Sequence, residues 1–364
     1  MRINVVVLPG DGIGPEVTAQ ALRVLRLAAG AFSHDLACRE MDIGAAAIRT
    51  HGVALPESTL QACLAADAVL LGAVGDPSCD DLPHVQRPET ALLTLRRRLD
   101  AFANLRPART DAALIDATPY RPEMVAGADV LIVRELLGGL YYGEPRGLSA
   151  HEGHNTMRYT RDEVARVARV AFAQARQRRG RLTSVDKANV LETSRLWRQT
   201  VDDVAASYPD VQLQHMYVDA CAMRLAMEPT YFDVILTENL FGDILSDQAA
   251  AFAGSIGMLP SAAIGGRVGL YEPVHGSAPD IAGTGRANPC GAIRSAAMLL
   301  RHSGGMPREA DLIDDAVRAV LEAGIRPPGL GSRGGRAAST SEFGHAVAHA
   351  LEELIDHQHA YHAV

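Results

Sequence analysis

The run from Ile3 to Leu8 is broken by a single polar residue, and it leads through Gly10-Asp11-Gly12-Ile13-Gly14-Pro15 into a helical pattern. A strand apolar at nearly every position, rather than at alternate ones, is buried on both faces, as in a parallel sheet covered by helices. From about Glu16 the period changes, and Val17, Ala21, Val24, Leu25 and Ala28 fall on one helical face. The alternation then recurs. Apolar runs over 67–74, 129–133 and 232–237 predict further buried strands. The stretch 161–179 predicts a helix with Val164, Val167, Ala171 and Ala175 as its inner stripe and six arginines outside it. Repeated strand–helix pairs predict an α/β fold. A length of 364 residues suggests two or three domains, or two sharing a large core. Without low-complexity linkers, two domains must be interwoven or tightly joined, and periodicity places no boundary between them.

Composition removes several classes of function. With 35 basic against 43 acidic side chains the formal charge is −8, the wrong sign for a surface that neutralises nucleic-acid phosphates. No apolar run approaches the roughly 18 residues that span a bilayer, and the N-terminus lacks a signal peptide's cleavage region. Cys38, Cys63, Cys79, Cys221 and Cys290 are odd in number and contain no CxxC pair. That spacing argues against a disulfide framework or a structural zinc site and predicts a reducing, cytoplasmic setting.

One count is unusual: 34 of the 35 basic residues are arginine, and Lys187 is the single lysine. A coding bias toward arginine explains the 34. A lysine that survives the bias marks a place where arginine would not serve, since only a desolvated lysine readily gives up its proton.

Other segments carry chemistry of their own. The first glycine turn fails as a dinucleotide fingerprint, because GxGxxG needs glycine where Pro15 stands. It reads as a strand-to-helix turn. Asp243 and Asp247 stand four apart, so on a helix both carboxylates project from one face and repel unless a cation lies between them. The alternative is a solvated acidic face, but the apolar neighbours Phe241, Ile244 and Leu245 favour partial burial and hence a divalent metal, with Asp219, at the end of a strand-like stretch over 212–218, as a third oxygen ligand; hard ions such as Mg²⁺ or Mn²⁺ suit that set. Arg134, at the carboxyl end of a buried strand, Arg106, and one of Arg96, Arg97 and Arg98 are placed for an anionic substrate. Surface solvation is the plainer reading for any one of them alone. The loop from Glu272 through His275 and Asp280 to Gly283, then Asn288, is rich in small residues that admit close approach of a flat ligand. His345 and His349 share an i,i+4 spacing without HExxH and read as surface residues, as do His357, His359 and His362 on the polar tail.

Together these segments resemble the β-decarboxylating dehydrogenases that act on 2-hydroxy acids with a second carboxylate, and among them the 3-isopropylmalate dehydrogenases. The resemblance is carried by LPGDGIGPEV (8–17), RPETALLTLR (87–96), FANLRPA (102–108), VRELLGGLYYGEPRG (133–147), SVDKANVLE (184–192), YVDA (217–220), FGDILSD (241–247) and EPVHGSAPDIAG (272–283). Leu137 departs from the family's usual threonine, and the loop 75–83 lacks its usual aromatic.

The resemblance implies a two-domain fold built on a large mixed, mostly parallel sheet flanked by helices. The first domain would comprise 1–101 and 254–364 and face the cofactor; the second, 102–253, would carry a dimer-forming β-arm near 141–160. It implies NAD-dependent oxidative decarboxylation of 3-isopropylmalate in leucine biosynthesis, or the same chemistry on another 3-substituted malate, tartrate or homoisocitrate. Arg96, Arg106 and Arg134 would hold the carboxylates. Asp219, Asp243 and Asp247 would hold Mg²⁺ or Mn²⁺, and Tyr141 and Lys187 would be the acid–base pair, with a lysine pKa lowered by metal and arginines. Lys187 and Asp219 would reach across a homodimer interface. Glu89, Leu92, Leu93 and Val190, the last one helical turn beyond Lys187, would face the substrate's side chain, and the three apolar residues would form a wall that suits an isopropyl group. Ile13, Glu89, His275, Gly276, Ser277, Ala278, Asp280, Ile281 and Asn288 would meet NAD, the Asp280 carboxylate favouring ribose hydroxyls over a 2′-phosphate.

Overall fold

A strand buried on both faces needs partners along both edges, and Arg2–Gly10 has them. It pairs in parallel with Asp35–Glu40 on one side and with Ala68–Ala73 on the other. The computed structural model describes residues 2–330 and 335–362, the side chains of 360–362 excepted. The chain divides into two units: Met1–Ala101 with Asp116–Thr118 and Gly254–Val364, and Phe102–Ile115 with Pro119–Ala253. Ten strands of mixed, mostly parallel sheet are shared equally between them.

In the first unit the strands lie in the order Asp35–Glu40, Arg2–Gly10, Ala68–Ala73, Gly269–Pro273, Pro260–Ile264, with only the last pair antiparallel. The helix Gly14–Ala31 presents Val17, Ala21, Val24, Leu25 and Ala28 to the interior, all fully buried. It packs with the helices Cys290–His302, Pro307–Glu322 and Thr340–His362. That last helix carries the C-terminal histidines; His359 meets Phe32 edge to face, and the side chain of His362 lies outside the described residues. The glycine turn is required sterically. Gly10 and Gly12 have φ of +73° and +56°, and a Cβ there would stand 1.9 Å from the Ala73 carbonyl oxygen or 2.0 Å from that of Ser277.

In the second unit the order is Ala103–Arg109, Asp129–Glu135, Val234–Thr237, Arg181–Asp186, Gln212–Tyr217. The last four strands are mutually parallel, so their carboxyl ends share one edge, where open α/β sheets place ligands. The helix starting at Arg161 is opened by a capping box between Thr160 and Glu163. It ends at Arg176 rather than near 179, because Arg178 turns back onto Asp129 (2.8 Å) and the buried Asp233 (2.9 Å). The segment expected to form an arm contains a short antiparallel hairpin, Gly147–Leu148 with Gly153–His154, and Leu148 is 91% exposed.

Candidate active site

Side chains two apart on a strand share a face, and so do residues opposite one another on paired strands. Asn104 lies opposite Arg134, and Arg106 opposite Ile132, so Asn104, Arg106 and Arg134 occupy one face of the second unit's sheet. The helix Asn239–Ala253 covers that face and presents Asp243. Arg134 Nη1 donates to Asp243 Oδ1 at 2.5 Å, and Arg106 Nη1 to the same oxygen at 3.1 Å. Arg106 also donates to Asn104 Oδ1 and Ser246 Oγ, both at 2.6 Å, and stands 3.9 Å from Asp247. In this chain, then, a guanidinium is the cation beside the two carboxylates. Burial raises the Asp247 pKa above the ordinary value, with Arg106 opposing and Asp243 reinforcing the shift.

Tyr141 joins this group from the loop after Asp129–Glu135. Its hydroxyl donates to Asp243 Oδ2 at 2.6 Å. Burial, then that bond and the carboxylate's charge, push the phenol up to about 12, so it holds its proton at neutral pH. Lys187 follows the strand Arg181–Asp186. Its backbone is held by Ser194 Oγ (3.0 Å), and its Nζ donates to Asp219 Oδ1 at 2.5 Å. That bond holds the Asp219 carboxyl below the usual range. Two local expectations need correction. Asp219 sits in the first turn of the helix Val218–Met227, because the strand stops at Tyr217. Val190 lies on a hydrogen-bonded turn after Lys187 rather than on a helix, and is 66% exposed. Among the described residues no three His, Cys, Asp or Glu side chains of one chain gather into a group able to hold a metal; Asp219 is engaged by Lys187.

The remaining predicted residues belong to the first unit. The helix Pro88–Arg98 resolves which of the three consecutive arginines faces inward: Arg96 is buried and donates to Glu272 Oε1 at 2.6 Å, while Arg97 and Arg98 are exposed. Leu92 and Leu93 are half-buried and Glu89 is exposed. The loop from Glu272 packs on the glycine turn through Ile13 N–H to Ser277 O at 2.8 Å. His275 is 8% exposed; its Nδ1 lies 2.8 Å from Gly276 O, its Nε2 has no partner, and burial lowers its pKa. Gly276 has open space where a Cβ would stand. Ala278 has φ of +38°, Asp280 is exposed, Ile281 is half-buried, and Asn288 is buried with its Oδ1 accepting from Cys290 N–H at 3.0 Å.

The geometry therefore gathers Arg106, Arg134, Tyr141, Asp243 and Asp247 in one unit, and the turn 10–14 with the loop 275–278 in the other. Residues 4–347 match the model of a family described as isocitrate/isopropylmalate dehydrogenase. The chain belongs to the isocitrate/isopropylmalate dehydrogenase family. Membership makes it a dehydrogenase acting on a small molecule. It is 52% identical to the 3-isopropylmalate dehydrogenase of Aquifex aeolicus, over 98% of this chain and 99% of that one. It is 54% identical to the 3-isopropylmalate dehydrogenase of Moorella thermoacetica, over 96% and 99%. The crystal structure of isocitrate dehydrogenase from Methylococcus capsulatus has a TM-score of 0.85 at 34% identity, covering 96% of this chain and 99% of that one. That of a β-decarboxylating dehydrogenase from Thermococcus kodakarensis has 0.80 at 38%, covering 97% of each.

Asn104, Asn239 and Ser246 were not singled out from sequence, although each contacts an arginine of the group. A lone Asn or Ser has no period or charge run to mark it. The nearest signal was the position of Asn239 at the head of the helix that carries FGDILSD.

Proposed function

We propose that this chain catalyses NAD-dependent oxidative decarboxylation of (2R,3S)-3-isopropylmalate to 4-methyl-2-oxopentanoate and CO₂, in leucine biosynthesis in the cytoplasm. The observation that carries the reading is the 52–54% identity to curated 3-isopropylmalate dehydrogenases over nearly the full length of both chains. Two buried arginines converging on one face support a substrate with two carboxylates, which their planar forks bind bidentately. Arg106 and Arg134 hold those carboxylates with Arg96. Lys187 Nζ takes the 2-hydroxyl proton, and Tyr141, whose phenol stays protonated, returns one to carbon after CO₂ is lost.

Two groups that the family uses fit residues of this chain. The orphaned, buried His275 Nε2 beside the open space at Gly276 suits an adenine-bearing ligand. Ile13, Glu89, Gly276, Ser277, Ala278, Asp280, Ile281 and Asn288 would hold NAD with it. The i,i+4 oxygen donors Asp243 and Asp247 suit Mg²⁺ or Mn²⁺, with Asp219 of the partner subunit. When bound, NAD supplies the hydride acceptor and the metal supplies Lewis acidity toward the hydroxyl and carboxylate oxygens. The reading includes a homodimer in which Lys187 and Asp219 serve the partner's site. Exposed Met223, Met227 and Ile244 on the helices Val218–Met227 and Asn239–Ala253 support a covered face there.

Substrate choice follows from the helix Pro88–Arg98. Leu92 and Leu93, with Val190, offer no donor to a third carboxylate, whereas each methylene buried against them gains about 0.8 kcal/mol. Steady-state kinetics with NAD⁺ and Mg²⁺ or Mn²⁺ test this. We expect kcat/KM for 3-isopropylmalate to exceed those for isocitrate, tartrate and homoisocitrate by at least about tenfold. A preference for any of these would overturn the assignment.

A further inference from the structure

Asn239 is fully buried and uses every side-chain bond it has. Its Oδ1 accepts from Arg134 twice, from Nε at 3.0 Å and Nη2 at 2.7 Å. Its Nδ2 donates twice, to the carbonyls of Leu136 and Gly138, both at 3.1 Å. An amide is the one side chain that accepts a cationic fork on one atom and donates to two carbonyls from the other. A carboxylate would face those carbonyls with like charge, and a hydroxyl cannot reach both sides. The four partners also leave the amide only one orientation.

The surroundings make this arrangement a clamp. Gly242, one turn further along the helix, is compelled to be glycine: a Cβ would stand 2.6 Å from Arg134 Cγ. The arginine stem therefore lies against the helix backbone, with Asn239 and Asp243 gripping its head. On the other side the loop 136–141 is pressed against Tyr159. A Cβ on Gly139 would stand 2.4 Å from the Tyr159 hydroxyl, which accepts from Asn239 N–H at 3.1 Å and donates to Glu238 Oε2 at 3.2 Å.

We propose that Asn239 is a positioning residue that ties the guanidinium of Arg134 to the loop bearing Tyr141, so that carboxylate binding and protonation share one buried node. The inference rests on the proposed roles of Arg134 and Tyr141. Asn239 itself touches no reacting atom; it acts through these two residues. A buried polar node of this kind rigidifies only while every member is satisfied.

The test uses the full-length enzyme with Asn239→Ala and Asn239→Asp, and two readouts. In hydrogen–deuterium exchange, the amides of 137–143 should exchange at least tenfold faster in both variants, while those of 275–288 stay as in wild type. In steady-state kinetics Asn239→Ala should raise the KM for 3-isopropylmalate and lower kcat, each at least tenfold, with the KM for NAD⁺ unchanged within twofold. Asn239→Asp keeps an acceptor for Arg134 but repels the loop, so its kcat loss should exceed its KM change. If Asn239→Asp does not fold, Asn239→Ala decides. A merely structural role lowers the fraction of folded enzyme but leaves both KM values and the kcat per folded site as in wild type, and that result overturns the proposal. Unchanged exchange at 137–143 overturns it too. That arm needs no turnover, so it stands apart from a wild type that fails to oxidise 3-isopropylmalate, which would sink the substrate assignment instead.

Discussion

At the scale of single residues, Lys187 carries the sharpest expectation. Its Nζ is bound to an exposed carboxylate, and the side chain is 28% exposed. An arginine there keeps an ion pair with Asp219, and a pair so open to solvent contributes little to stability. Lys187→Arg should therefore fold and bind NAD⁺ as wild type does. A guanidinium remains protonated, however, and cannot accept the hydroxyl proton. We expect kcat to fall by about 100-fold or more, read from NADH absorbance at saturating substrate; near-normal turnover would remove Lys187 as the base. The lysine was legible in the sequence because composition isolated it. Asn239 was not, because its partners are backbone carbonyls and an arginine more than a hundred residues away, joined only by the folded sheet. Arg96 was partly legible: the leucine stripe limited the choice to three arginines, and burial against Glu272 made it.

At the scale of elements, the buried strands and the inner stripes of the helices were legible because period and burial are the same fact seen twice. Element ends were less so. The end of the strand Asp129–Glu135 shows why, and it carries a pH dependence. Glu135 is fully buried there and turns the chain by accepting from Leu137 N–H at 2.9 Å and Gly138 N–H at 2.8 Å. Burial raises its pKa from 4.5 to about 7, with those two bonds and Arg166 opposing. The native state thus holds a proton that the unfolded chain has released. The stabilisation is complete below the unfolded value and is lost as pH rises through about 7. Between pH 5 and 8 this site should remove on the order of 2–3 kcal/mol of stability. Glu135→Gln should flatten the dependence measured by urea midpoints across that range. The slope is the readout, since a Gln amide sets an NH₂ group against one of two N–H donors and destabilises at every pH. A variant whose midpoint falls with pH as steeply as wild type would show that Glu135 is not the titrating group.

At the scale of the whole molecule, one chain does not assemble the proposed metal ligands, because Asp219 is spent on Lys187 while Asp243 is held by Arg106, Arg134 and Tyr141. On the proposed reading, Asp219 of the partner subunit completes that site. The helices bearing Met223, Met227 and Ile244 lie in the same unit as these six residues, and an isologous two-fold contact there would exchange Lys187 and Asp219 between subunits. Complementation separates exchange from its absence. If the proposed homodimer and its site roles hold, Lys187→Arg and Asp243→Asn should each disable every site in their own homodimers. Refolded together in equal amounts, they form mixed dimers in which exchange gives one site both intact residues and the other neither. Random pairing makes half the dimers mixed, so turnover should recover to roughly a quarter of wild type. If each chain instead uses its own Lys187, every site in the mixture carries one defect and no activity returns.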